Sequence, residues 1–136
     1  MDRLCAKNIV KEEGYEFGLF RKSNPKTYVG NMGLISISKQ HNNAELGYFI
    51  NPDLWNLGYA TEACRKIMEF GFEKLQLERI YARCMTKNIG SKTVLEKSGL
   101  LYEGMAKHEV LKWDNYEDVS KYGVIRREWK NMNIDK

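Results

Sequence analysis

Three short strands at hairpin spacing, a strand–turn–helix junction in mid-chain and a closing strand pair predict an α/β (α+β) domain with a mixed, mostly antiparallel sheet. The strand candidates are Tyr15–Leu19, Tyr28–Ser38 and Ala44–Ile50, which read as an antiparallel meander. The junction is Glu45–Glu62, ELGYFINPDLWNLGYATE. With 136 residues, only two prolines and no linker or repeat, the chain is read as one domain, 1–136, with one core.

Taken in order, residues 1–13 carry Leu4, Ala6, Ile9 and Val10 among charges and suggest a short helix. Ser23-Asn24-Pro25-Lys26 and His41-Asn42-Asn43 are turn signals between the meander strands. Gly30 and Gly33 inside the second strand mark a bulge or a close backbone neighbour. Asn51-Pro52-Asp53 stops the third strand, because proline brings no ladder donor. A helix from about Gly58 to Leu75 places Ala60, Cys64, Ile67, Met68, Gly71 and Leu75 on one face. Arg79–Thr86 is a central strand, and Asn88 opens a second helix to about Ser98, with Gly99 as its C-cap. Strands from Leu100 to about Trp113 and from Tyr116 to Arg126 close the chain as a hairpin around Asp114-Asn115. The strands flanking the long helix pair in parallel through a right-handed crossover.

The junction is a seat for an anion. The first N–H groups of a helix lie outside its ladder and carry the positive end of its dipole. Leu57, Gly58, Tyr59, Ala60 and Thr61 supply consecutive amides there, and a glycine at this place also eases a strand-to-helix turn. Glu62 is expected to face away from the anion, with Arg65 or Lys66 adding attraction. No Gly-Lys-Ser/Thr ending and no Gly-x-Gly-x-x-Gly pattern is present, so neither a nucleotide loop nor a dinucleotide turn fits.

Composition narrows the partners. A net charge of +4 is mildly basic, but no Lys/Arg block forms a nucleic-acid arm, and no nucleic acid is expected as a partner. No apolar run approaches the ~20 residues of a membrane span, so no membrane partner is expected either. Cys5, Cys64 and Cys84 are three cysteines without metal-type spacing, read as reduced thiols in a cytoplasmic protein that holds no metal.

Several pieces lie in a recognisable order: Ala44-Glu45-Leu46-Gly47-Tyr48, then Trp55-x-x-Gly58-Tyr59-Ala60-Thr61-Glu62-Ala63. Asn88-x-x-Ser91, Leu95-Glu96-Lys97-x-Gly99, Tyr102-Glu103-Gly104 and Tyr122-Gly123-x-x-x-Arg127-Glu128-Trp129 follow. The ordered set resembles the GNAT superfamily of N-acetyltransferases, most closely the RimJ/RimL branch, which acetylates protein N-terminal amino groups. The resemblance implies acetyl-CoA as co-substrate and a strand 45–50 splayed from the strand 79–86. It implies that Phe49 and Ile50 backbone groups pair with the pantetheine arm and that Leu57–Thr61 amides cradle the pyrophosphate. Asn88 would touch the cofactor arm, and Ser91 would lie near the thioester sulfur.

The implied chemistry is acyl transfer: an amine attacks the thioester, an oxyanion needs a donor, and a thiolate leaves. A backbone N–H near Ile50 is the implied oxyanion donor. Ser91 is the candidate acid, since Leu95 stands where many superfamily members carry a tyrosine. Glu45 and Glu109 are the candidate bases, with His108 a weaker one. The acceptor is expected to be a protein N-terminus, whose amine (pKa about 7.7–8.0) needs less help than an amine near ~10.4. A polyamine, an aminoglycoside or another small amine is the alternative, as is a CoA-binding module without acceptor chemistry. The family's usual elements ahead of the meander are shortened to about fourteen residues here, expected as a helix remnant. That leaves an acceptor side that is open, completed by another subunit, as in a homodimer, or missing because the chain is incomplete.

Overall fold

The computed structural model describes residues 4–11 and 14–133. Among them seven strands form one sheet: β1 (Leu4–Lys11), β2 (Gly14–Arg21), β3 (Tyr28–Ser38), β4 (Asn43–Ile50), β5 (Arg79–Met85), β6 (Leu101–Lys112) and β7 (Asn115–Ile125). Their spatial order is β1-β2-β3-β4-β5-β7-β6, and β4–β5 is the parallel pair. The three helices are α1 (Tyr59–Glu69), α2 (Ile89–Lys97) and α3 (Arg126–Asn133).

Period-2 alternation decides which strand side chains reach the core. Met32 and Leu34 of β3, Ala44, Leu46 and Ile50 of β4, Ile80 and Ala82 of β5, and Tyr122 and Val124 of β7 are all buried. Cross-strand register puts them on one face, with Leu34 opposite Leu46 and Ile80 opposite Val124. The buried stripe of α1, Ala63, Cys64, Ile67 and Met68, packs against that face, joined by Leu95 of α2 and Trp129 of α3.

Three elements differ from the sequence-based expectation. The expected N-terminal helix is β1, paired residue for residue with β2 from Leu4↔Arg21 to Lys11↔Gly14; residues 1–3 and 12–13 of it lie outside the described residues. Buried Leu4 anchors the strand to the core. The helix expected to reach Leu75 turns at Phe70 into a single π turn, Phe70–Lys74, in which the Leu75 N–H donates to the Phe70 carbonyl at 3.2 Å. The wider turn sets Gly71 against the sheet, where a Cβ would lie 2.8 Å from Ile80 Cδ1 and 3.0 Å from Leu34 Cδ1. It also seats Phe72 against Trp129, ring centroids 5.1 Å apart. Finally, α3 follows β7 without a turn and was not expected. Its signal is a capping-box half: Glu128 Oε1 accepts from the Ile125 N–H at 3.0 Å, three residues back.

One irregularity positions the site. The β4–β5 ladder contains Asn43↔Arg79, Ala44↔Ile80 and Glu45↔Tyr81 and then stops, although β4 runs on to Ile50 and β5 to Met85. Past Glu45 the two strands diverge, so the expected splay is present.

Candidate functional site

The gap between β4 and β5 is lined by main chain, and the register says whose. The Asn51 N–H donates to the Val29 carbonyl at 2.8 Å, so Asn51 faces β3. The Phe49 carbonyl also lies against β3, where a Cβ on Gly30 would collide with it. Alternate residues of an antiparallel strand direct both main-chain groups to the same side. Glu45, Gly47 and Phe49 therefore serve β3, whereas Leu46, Tyr48 and Ile50 turn toward β5 and the gap, Leu46 at the last rung of the ladder. This corrects the expectation for Phe49: its backbone is committed to the meander, and its side chain stands half exposed on the face away from the helices. At Ile50 the carbonyl already accepts from the Trp55 indole Nε1–H at 2.8 Å, and the N–H is the donor that faces the gap.

Just past β4 the chain makes the expected junction. Asn51 Oδ1 accepts from the Asp53 N–H at 3.2 Å and closes a short 3-10 turn, Pro52–Leu54. Asn56 (φ 65°) and Gly58 (φ 84°) then take left-handed conformations that a β-branched residue resists. Gly58 caps α1, and the Glu62 N–H donates to the Gly58 carbonyl at 3.0 Å as the first helical bond. The Ala60 and Thr61 amides thus lie in the first turn, outside the i→i−4 ladder. Leu57 stands half exposed at the mouth, and the Tyr59 side chain is buried beneath. Glu62 is turned toward β1, where its Oε2 accepts from the Leu4 N–H at 3.0 Å. Arg65 is not at this seat: its Nη2 donates to the Lys97 carbonyl at 2.8 Å and ties α1 to the far end of α2. A different cation lies nearby, since the Arg21 guanidinium sits 5.6 Å from the Tyr59 ring centroid. Nothing in the linear order announces that approach of β2 to α1.

Over the gap on the helix face, α2 begins. Asn88 Oδ1 accepts from the Ser91 N–H at 3.0 Å, an N-cap that fixes the first turn. The Tyr48 hydroxyl, reaching up from β4, donates to Ser91 Oγ at 3.3 Å. Burial raises the Tyr48 pKa above the ordinary 10.0, with the Ser91 hydrogen bond acting in the opposite direction. Leu95 is fully buried in the core, so its position on α2 looks inward rather than at the gap mouth.

Across the sheet, on the face without helices, the two candidate bases meet around one cation. Arg83 donates through Nε to Glu45 Oε2 at 2.8 Å and through Nη2 to Glu45 Oε1 at 3.4 Å. Its Nη1 lies 3.9 Å from Glu109 Oε2, and Lys121 Nζ lies 3.0 Å from Glu109 Oε1. The hydrogen bonds to Glu45 raise the Arg83 pKa still further above its ordinary value. Where the backbone ladder ends at Glu45, side chains thus bridge the same two strands. His108 belongs to the β6–β7 hairpin instead, with its ring stacked on Tyr116 at 5.6 Å and its N–H bonded to Asp118 Oδ1 at 2.9 Å. Ser91, Asn88 and Tyr48 converge on one face, and Glu45 and Glu109 on the other. Arg83 and Arg21 carry no sequence expectation, and Tyr48 stands in the first motif without a role. Tyr48 had a readable signal, its even spacing from Leu46 and Ile50.

A main-chain gap between two diverging parallel strands, ending at a glycine-capped helix start, suits an extended amide-bearing arm with a diphosphate at one end. Residues 2–101 match the acetyltransferase (GNAT) domain family. The chain belongs to the GNAT family. Within this GNAT chain, 85 residues are 39% identical to "Uncharacterized N-acetyltransferase YnaD" of Bacillus subtilis, covering 62% of the chain and 50% of that protein. Over 101 residues it is 32% identical to "Putative ribosomal N-acetyltransferase YdaF" of the same organism, covering 74% and 55%. The chain therefore spans about half the length of these curated relatives. In fold it is similar to a solved spermidine N-acetyltransferase, SpeG, of Vibrio cholerae, with a TM-score of 0.83 at 23% identity, covering 90% of the chain and 72% of that structure.

Proposed function

We propose that this chain transfers the acetyl group of acetyl-CoA to a primary amine, foremost the α-amino group of a protein N-terminus, as in the RimJ/RimL branch. The observation that carries the cofactor half is the ladder that stops at Glu45/Tyr81 beside the Gly58-capped start of α1. The gap-facing main-chain groups of Tyr48 pair with a pantetheine amide, and the Leu57–Thr61 turn receives the pyrophosphate. Asn88 keeps α2 in place against the arm, and the Ile50 N–H serves the oxyanion.

Charge supports the choice of acceptor. Glu45 and Glu109, the carboxylates that would attract a polycation, are already engaged by Arg83 and Lys121. An amine with a pKa near ~8 is partly neutral at cellular pH and attacks with only a water-relayed base, Glu45 or Glu109. Spermidine, with amines near ~10, would need carboxylates free of cations. The polyamine reading has comparable support in two likenesses, the SpeG fold and the Vibrio cholerae spermidine N(1)-acetyltransferase, 26% identical over 108 residues. The test is thiol release from acetyl-CoA with peptides of varied N-terminal residue, spermidine and an aminoglycoside side by side. Faster turnover with a peptide supports the proposal. Faster turnover with spermidine replaces the acceptor, and no release with any amine despite CoA binding leaves a binding module.

A further inference from the structure

Ser91 has a hydroxyl with one hydrogen to give and two lone pairs to receive with. The Tyr48 phenol donates to it at 3.3 Å, so one lone pair of Ser91 Oγ is taken and its hydrogen is not spent on Tyr48. The backbone of Ser91 is fixed independently by Asn88, through the N–H to Oδ1 bond at 3.0 Å. The phenol is itself anchored, because Tyr48 lies on β4 between buried Leu46 and Ile50 and packs against the core. Its main chain is one of the three that turn to the gap. An arm paired along that edge must pass beneath the Tyr48–Ser91 hydroxyl pair. Burial keeps the phenol protonated beyond its ordinary range, so it remains a donor at neutral and mildly alkaline pH.

We propose that Tyr48 is a positioning residue: by donating to Ser91 Oγ it aims the Ser91 hydroxyl hydrogen into the gap, at the sulfur of CoA. The proposal rests on the acetyl-CoA reading above and adds to it a residue outside the family motif's expected acid. As the C–S bond of the tetrahedral adduct breaks, its electron pair stays on sulfur and the acetyl carbon keeps the new C–N bond. The Ser91 O–H then hydrogen-bonds to that thiolate without giving up its proton. The proton lost by the amine passes through water to Glu45 or Glu109 and from there to solvent, and the balance needs no further acid. Serine is too weak an acid to protonate a thiolate outright, whereas a hydrogen bond to a charged acceptor is among the stronger ones.

The experiment reads the thiol of bound CoA, so it requires no acceptor. CoA is titrated by thiolate ultraviolet absorbance on the wild-type chain, Y48F, S91A and the double variant, with unfolding temperature as a control. Phenylalanine keeps the ring in place and removes only the donor. The ionisation constant of bound CoA is expected to fall about tenfold in Y48F and in S91A, one pKa unit, with no additional fall in the double variant. S91T, which keeps a hydroxyl for Tyr48 to hold, is expected to retain the wild-type value. An unchanged constant in Y48F overturns the proposal, and so does a Y48F effect that persists in the S91A background. Failure of CoA to bind the wild-type chain overturns the cofactor reading along with it. That result differs from CoA that binds but titrates alike in every variant.

Discussion

Arg83 holds the two carboxylates nearest the splay, and its removal separates their charges from any structural use. Its side chain is half exposed while that of Glu45 is only 12% exposed, so water screens one partner and not the other. R83Q is expected to lower stability by about 1 kcal/mol, above the usual exposed pair because Glu45 is left nearly buried without its cation. The same change frees the carboxylates, so turnover on spermidine should rise relative to a peptide N-terminus in direct competition. An unchanged ratio would remove Arg83 from acceptor choice. A second pair gives a pH signature. Arg79 donates both Nη groups to Glu103 at 2.6 Å, and this holds the Glu103 pKa below the ordinary 4.5. A lowered folded-state pKa means the unfolded chain binds its proton first as pH falls. The pair's contribution is then whole above about pH 4.5 and is lost as pH drops through the lowered value. E103Q should therefore lower the midpoint of urea unfolding at neutral pH and converge with wild type in acid. Parallel curves at every pH would contradict this.

At the scale of elements, the strand-to-helix junction depends on one backbone conformation. Gly58 has φ 84° as the cap of α1, which valine cannot adopt without strain. G58V is expected to weaken CoA binding at least tenfold, measured by calorimetry, with a smaller loss of unfolding temperature, since the core stripe of α1 is untouched. Normal affinity would take the pyrophosphate away from this turn. The meander strands, β5, α2 and the closing hairpin were legible, because turn residues and alternation are local signals. The helix expected at residues 1–13 was not, for Leu4 and Ala6 acquire their strand geometry from β2, whose register no local pattern states. The π turn at Phe70 and the start of α3 were hidden for a related reason. Both exist to bring Phe72 and Trp129 together, a contact across 57 positions of chain that neither segment announces alone.

For the whole molecule, binding and folding are linked, because the gap exists only when β4 and β5 share one sheet. A ligand specific to the native state at one hundred times its dissociation constant adds about 2.7 kcal/mol of stability. Acetyl-CoA should accordingly raise the unfolding temperature by several degrees, and no rise at any concentration would count against cofactor binding by this chain.

The ordered motifs from Ala44 to Trp129 determined by themselves the family, the place of the strand-to-helix junction and the residue types around it. Glycine, proline and capping residues constrain the backbone locally, so their meaning survives without a fold. Tertiary structure alone decided that Phe49 serves the meander while Tyr48 serves the gap, that Glu45 and Glu109 share Arg83, and that Ser91 receives the Tyr48 phenol. Each of these depends on strand register and on side chains that approach from elements far apart in sequence. A shift of one residue along β4 would exchange every one of those roles.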